Sequence, residues 1–189
     1  FIDLEKKLAN YILACIQENK IRDLDHTTSQ KLIEEVDLIL EWDLHHYQAL
    51  NIRGMLYTNL EEYEKAIEDL TLAIDVELIE DEAYVNRGIV YFKMGDHKNA
   101  LFDLDLADAL SIDDPYVLYC RGSVYYEQED YVSAFDDFHL AFEKGYSDHS
   151  MLLKMIFSKY RTGDPVKTYT LSEELASSFA ESSFFLAPF

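Results

Sequence analysis

ALNIRGMLYTNLEEYEKAIEDLTLAID (49–75), AYVNRGIVYFKMGDHKNALFDLDLADA (83–109) and VLYCRGSVYYEQEDYVSAFDDFHLAFE (117–143) are one pattern written three times. Gly54, Gly88 and Gly122 are evenly spaced. The same step carries Arg53 to Arg87 to Arg121, Tyr57 to Tyr91 to Tyr125, and Ala66 to Ala100 to Ala134. Asp69, Asp103 and Asp137 keep it too, as do Ala73, Ala107 and Ala141. Such registers mark an array of helical hairpins, each burying its apolar face against its neighbours. Gly inside a helix costs about 0.5–1 kcal/mol relative to Ala, so three at one register argue for packing. The glycines remove a side chain where two helices approach, Ala66, Ala100 and Ala134 offer a small surface opposite, and Leu70, Leu104 and Phe138 fill the space.

At these residues the chain resembles the tetratricopeptide repeat (TPR) family, which has a 34-residue period, a small residue in the first helix, an aromatic three further on and two alanines in the second helix. Two features depart from it: Leu78, Ile112 and Tyr146 replace the family's frequent Pro, and His97 replaces the aromatic opening the second helix. The resemblance covers residues 47–148 and fades over the next dozen. It implies an all-α fold, a right-handed α-solenoid of antiparallel helical hairpins. Three units (47–80, 81–114 and 115–148) would follow an N-terminal hairpin cap (1–46) and precede a degenerate fourth repeat with a capping helix and an apolar tail (149–189).

Helices are expected near 47–60, 63–77, 81–94, 97–110, 115–128 and 131–144. In the cap, apolar residues at helical spacing predict a helix over 2–19. A second runs through about 45, with Leu32, Ile33, Val36, Ile39, Leu40 and Trp42 inward; Asp25-His26-Thr27-Thr28-Ser29 is a capping cluster ahead of it, with Thr27-x-x-Gln30 as the candidate capping box. Pro115 suits a first helical turn, and Lys144-Gly145 a helix end. Met151, Leu152, Met155, Ile156 and Tyr160 predict a further first-type helix, with a last one near 165–180.

The 189 residues carry 37 Asp and Glu against 16 Lys and Arg, a net charge of −21. Of these, 23 acids and 7 bases lie within 47–148, whereas 149–189 holds four of each sign. That excess argues against nucleic acid and against an anionic membrane surface, both of which need clustered Lys and Arg. A basic partner is one reading of it; a solvated acidic face is the plainer one. No stretch approaches the ~18–20 apolar residues of a membrane span, and no signal-peptide pattern opens the chain. Phe1 in place of Met suits a processed product or a piece of something longer. Cys15 and Cys120, without CxxC spacing, read as small buried or groove-lining thiols in a cytoplasmic setting.

No catalytic constellation is present: no phosphate-cradling glycine loop, no nucleophile elbow, no HExxH. Adjacent acids such as Glu68-Asp69 and Asp136-Asp137 read as a solvated face. His45 and His46 point about 100° apart on a helix and the other histidines are scattered, so no metal and no cofactor are expected. An enzyme is not expected either.

What remains is recognition. The resemblance implies that first helices line a concave face. Counted from each glycine, the expected peptide-binding residues are Asn51, Met55, Asn86, Ile89, Phe92, Tyr116, Tyr119, Ser123, Tyr126, Phe157 and Tyr160. Aromatics with amides suit an extended peptide or a short helix. The family's carboxylate clamp for chaperone tails is disfavoured: at its positions stand Asn51, Met55, Asn86, Tyr116 and Cys120, of which only Asn86 fits, and all three cations are missing. The expected function is a non-catalytic protein–protein interaction module. The alternatives are an acidic secretion chaperone resembling class II type III chaperones in outline, or a structural segment of a larger assembly.

Two more expectations follow from the pattern. Arg53, Arg87 and Arg121 stand where the family has an apolar residue, so each needs a carboxylate, from the second-helix Asp of its own unit or from that of the unit before. The tail residues Phe184, Phe185, Leu186 and Phe189 are expected to dock on apolar surface, in their own chain or in a neighbour, which would give self-association.

Overall fold

The computed structural model describes residue 21, residues 24–111 and residues 114–163. The expected helices over 2–19 and near 165–180, Cys15 and the apolar tail lie outside them. The chain divides into two compact units, residues 1–112 and 113–189, with the boundary between the second and third repeats. Among the described residues every regular element is helical. The first unit holds α1 (His26–Leu40), α2 (Tyr47–Asn59), α3 (Tyr63–Val76), α4 (Asp81–Lys93) and α5 (His97–Leu110). The second holds α6 (Pro115–Glu127), α7 (Tyr131–Glu143) and α8 (His149–Arg161). From α2 to α7 the ends fall within a residue of those expected from the repeat.

The glycine register works as the sequence implies. A Cβ on Gly54 would stand 2.6 Å from Leu70 Cγ, and one on Gly88 3.0 Å from Leu104 Cγ and 3.3 Å from the Ala100 carbonyl oxygen. In the second unit a Cβ on Gly122 would meet Phe138 Cε1 at 2.8 Å. Ala66, Ala100 and Ala134 are fully buried, as are Leu70 and Phe138. Three hairpins are therefore closed by one device, a bare backbone on the first helix against a large side chain on the second.

The turn inside each of these hairpins repeats as well. Glu61, Gly95 and Glu129, equivalent positions of the three repeats, have φ of 59°, 78° and 61°. The N–H of Glu62 donates to the Tyr57 carbonyl at 2.9 Å while that of Glu61 donates to Thr58 at 3.2 Å, the paired bonds of a left-handed helix stop. Gly95 and Glu129 head the same pair of bonds in their hairpins. Only Gly adopts this conformation without a Cβ penalty. Glu61→Gly and Glu129→Gly are each expected to raise stability by about 0.5–1 kcal/mol, and Gly95→Ala to lower it by a similar amount. A urea titration reads the sign, and a loss on either Glu→Gly change would contradict the strain assigned here.

Two expectations at α1 are corrected. Its N-cap is Asp25 rather than Thr27: the carboxylate accepts from the Thr28 N–H at 3.0 Å and from its hydroxyl at 2.7 Å. Those bonds hold the Asp25 carboxyl below its ordinary value. The helix stops at Leu40, so Trp42 falls past the helical register into a turn and is 52% exposed instead of facing inward.

The arginines choose their own unit. Arg53 donates from Nε and Nη2 to Asp69, both at 2.7 Å. Arg87 does the same to Asp103 at 2.8 and 2.9 Å, and Arg121 to Asp137 at 2.9 Å twice. Each is a fork-to-carboxylate pair, the geometry that adds direction to charge. In the first unit the remaining amino group reaches the preceding helix, α1 or α3: Arg53 Nη1 to Asp37 at 2.6 Å and Arg87 Nη1 to the Thr71 hydroxyl at 3.0 Å. Hydrogen bonds to these partners, opposed by burial, raise both guanidinium pKa values further above their ordinary range.

Candidate functional site

In the first unit the first-type helices α2 and α4 carry five of the expected binding residues. Asn51 and Asn86 are buried, and the Asn86 amide nitrogen donates to Asn51 Oδ1 at 2.9 Å. This pair ties α2 to α4, because a buried amide is stable only when its polar atoms are matched. Met55, Ile89 and Phe92 are half-buried, and Phe92 meets His97 edge-on at 5.9 Å. His97 thus does the ring-packing work of the aromatic it replaces. Of the five, the three that stay accessible are apolar. Elsewhere in the unit, Leu40, Leu44, Leu50, Tyr57 and Leu72 line a shallow cleft of about 340 Å³ with Asp37, Glu41 and Arg53. No spacing in the sequence announced it.

In the second unit α6 presents Tyr116, Tyr119, Ser123 and Tyr126 along one side, three or four residues apart. Ser123 is buried, and its hydroxyl donates to the Tyr119 carbonyl at 2.9 Å. Tyr119 stacks on Tyr146 at 4.9 Å and lies 6.4 Å from Phe138, with Tyr116 6.0 Å from both Tyr119 and Tyr146. A second cluster joins Tyr126, Tyr131 and Phe157, with centroids 5.7–5.9 Å apart. Phe157 shares one side of α8 with Leu153 and Tyr160, and the three are 40%, 69% and 59% exposed. Burial pushes the Tyr119 and Tyr126 hydroxyls above their ordinary pKa, so both are protonated donors at neutral pH.

The structure brings Tyr116 together with Tyr119, and Tyr126 with Phe157, and leaves Tyr160 on open surface. It adds rings that sequence reasoning did not place in the site: Tyr146 from the turn after α7, and Tyr131 at the start of α7. It also adds three cations of α8, each above a ring. Lys154 lies 5.5 Å from the Tyr126 centroid, Lys159 4.2 Å from Phe135, and Arg161 4.6 Å from Tyr131. Lys154, Lys159 and Arg161 sit in a 13-residue helix without a single acid, and that was the readable signal. Cys120 is buried, as expected for a packing thiol. Among the described residues no three His, Cys, Asp or Glu side chains converge as a metal site needs, and no helix is long and apolar enough to cross a membrane.

Comparison with known proteins agrees with the helical-repeat fold. The tetratricopeptide repeat family profile matches residues 47–78 and 81–111. No curated protein sequence matches the chain. Among solved structures, MamA (residues 41 to the end) from Desulfovibrio magneticus RS-1 superposes with a TM-score of 0.72 at 16% identity, over 97% of this chain and 98% of that one. YrrB, described as a TPR protein with an unusual peptide-binding site, gives 0.61 at 18% identity over 86% and 89%. The first TPR of Spaghetti (RPAP3), solved with the HSP90 peptide SRMEEVD, gives 0.59 at 19% identity over 62% and 94%. At such identities the likeness is one of fold.

Proposed function

We propose that this chain, a tetratricopeptide-repeat protein, is a non-catalytic interaction module that holds a peptide or helical segment on the exposed sides of its first-type helices. The observation that carries this reading is the ring surface of the second unit, where Tyr126 and Phe157 pack together while Leu153 and Tyr160 stay open to solvent. Large exposed apolar side chains on one side of a helix are what a partner's anchor residue covers. Met55, Ile89 and Phe92 form an accessible apolar strip within the first unit. The HSP90 peptide bound by the Spaghetti repeat and the peptide-binding site described for YrrB support this class of ligand. The buried Asn51–Asn86 bond holds the backbone that presents the strip rather than reading the ligand.

The test is a peptide display selection on the immobilised chain, followed by titration of the selected peptides. Phe157→Ala and Tyr126→Ala are each expected to weaken binding by about 1–2 kcal/mol, with helicity and unfolding midpoint nearly unchanged. Tyr119→Ala, which removes a stacked ring, is expected to lower stability as well. Selected peptides that bind all three variants as tightly as the native chain would end the assignment to this surface.

A further inference from the structure

Three cations, Lys154, Lys159 and Arg161, stand within eight residues in α8, a helix without an acid. Arg53, Arg87, Arg121 and Lys65 all pair with carboxylates. Lys154, Lys159 and Arg161 lie over rings, and among the described residues none of the three pairs with a carboxylate. Arg161 has one hydrogen bond, a long one of 3.4 Å to the Tyr131 hydroxyl. In a protein with 37 acids and 16 bases, Lys154 and Arg161, which pair with no carboxylate among the described residues, make with exposed Leu153, Phe157 and Tyr160 a surface suited to an acidic, aromatic segment.

The chain carries such a segment. Residues 181–189, ESSFFLAPF, combine Glu181 with Phe184, Phe185, Leu186 and Phe189 and contain no cation. Reach is ample: the stretch between Gly163 and Glu181 spans about 25 Å even at a helical rise of roughly 1.5 Å per residue, against roughly 20 Å for the whole of α8. We infer that residues 181–189 dock in cis on the side of α8 formed by Leu153, Phe157 and Tyr160, with Glu181 facing Lys154 or Arg161, and so compete with any outside ligand of that surface. The inference rests on the reading of this surface as a peptide site and adds a regulator to it. A tether of this length holds the segment at an effective concentration on the order of mM, enough to keep the surface occupied against a free ligand of micromolar affinity.

The experiment uses a fluorescein-labelled synthetic peptide of residues 181–189 as probe. Anisotropy is measured against the native chain and against the full-length triple variant Phe184→Ser, Phe185→Ser, Phe189→Ser, which frees the surface without shortening the chain. The variant is expected to bind the probe tenfold or more tighter than the native chain does, on the order of the tether's advantage. Adding Phe157→Ser, or Arg161→Glu, should remove most of that binding while circular dichroism stays unchanged. A peptide with Glu181→Lys should bind several-fold more weakly, and less so as salt rises. Equal affinity for native and variant chains would overturn the docking, as would no binding to a folded variant. A native dimer that the triple substitution turns to monomer would assign the surface to a second copy and overturn docking in cis. Failure here is separable from failure of the site: display-selected peptides that still lose affinity on Phe157→Ala would leave the peptide site standing with its regulator removed.

Discussion

Replacing Asp103 by Ala should destabilise the protein by about 3–5 kcal/mol, more than any other single carboxylate change in the first unit. Asp103 is 1% exposed and takes both fork nitrogens of Arg87, itself 15% exposed. With Asp103 gone, Thr71 still accepts from one amino group, but a neutral hydroxyl does not offset the charge. The effect is therefore the stranded cation rather than the loss of an attraction. Two consequences separate that mechanism from ordinary packing loss. Arg87→Met with Asp103→Leu should recover most of the stability, because an apolar pair of similar volume avoids desolvating two charges. Asp69→Ala should cost less than Asp103→Ala, because Arg53 keeps Asp37 at 2.6 Å and is 23% exposed. Urea unfolding of the single and double variants measures all of this in one mutant cycle. A loss below about 1 kcal/mol for Asp103→Ala would show that water replaces the carboxylate and would sink the argument.

Gly122→Val is the second large effect, expected near ~3 kcal/mol, with Gly122→Ala at about 1–2 kcal/mol. Helix propensity alone would make the Ala variant more stable by about 0.5–1 kcal/mol, so the sign itself is the test. The added Cβ meets two atoms of the Phe138 ring at 2.8 and 2.9 Å and Asp137 Cβ at 3.2 Å. Phe138 is fully buried, in a cluster with Leu118, Ala134, Met151 and Met155, so the ring has no free space to turn into. Displacing Asp137 would also disturb the fork from Arg121. A Gly122→Ala chain with a raised unfolding midpoint would mean that the helices separate easily at this crossing.

The period made the fold readable. Six registers at one constant interval located the helices and the bare backbone positions before any coordinate was needed, because a repeat repeats its environment as well as its residues. What the period could not give was rotation about each helix axis. It left the partners of Arg87 and Arg121 open between two aspartates each, and only the helix pairing decided for the nearer one. It also hid Asp37 and Thr71, although they too stand one full period apart, because one is charged and the other is not. Asn51 and Asn86 counted as ligand-facing from spacing, yet at 35 residues apart, one position off the repeat register, they meet between adjacent first helices and pair. Trp42 failed for a local reason: the helix ended one turn early. The second aromatic cluster was half legible, since Tyr126 and Phe157 came from first-type helices while Tyr131 came from a second helix.

The arginine links carry a kinetic consequence. Arg53 to Asp69 and Arg87 to Asp103 close within one hairpin; Arg53 to Asp37 and Arg87 to Thr71 close between consecutive hairpins; every one of these bonds spans 16 residues. Loop-closure entropy depends on the length of chain enclosed, so the chain faces the same entropic cost whether it completes a hairpin or joins it to the one before. Such uniformly short loops belong to a low contact order and quick folding. They also leave no privileged nucleus in the first unit. Structure begun at any of its hairpins grows toward either terminus over barriers of similar height, and a nascent chain has ordered partners for each arginine soon after it emerges.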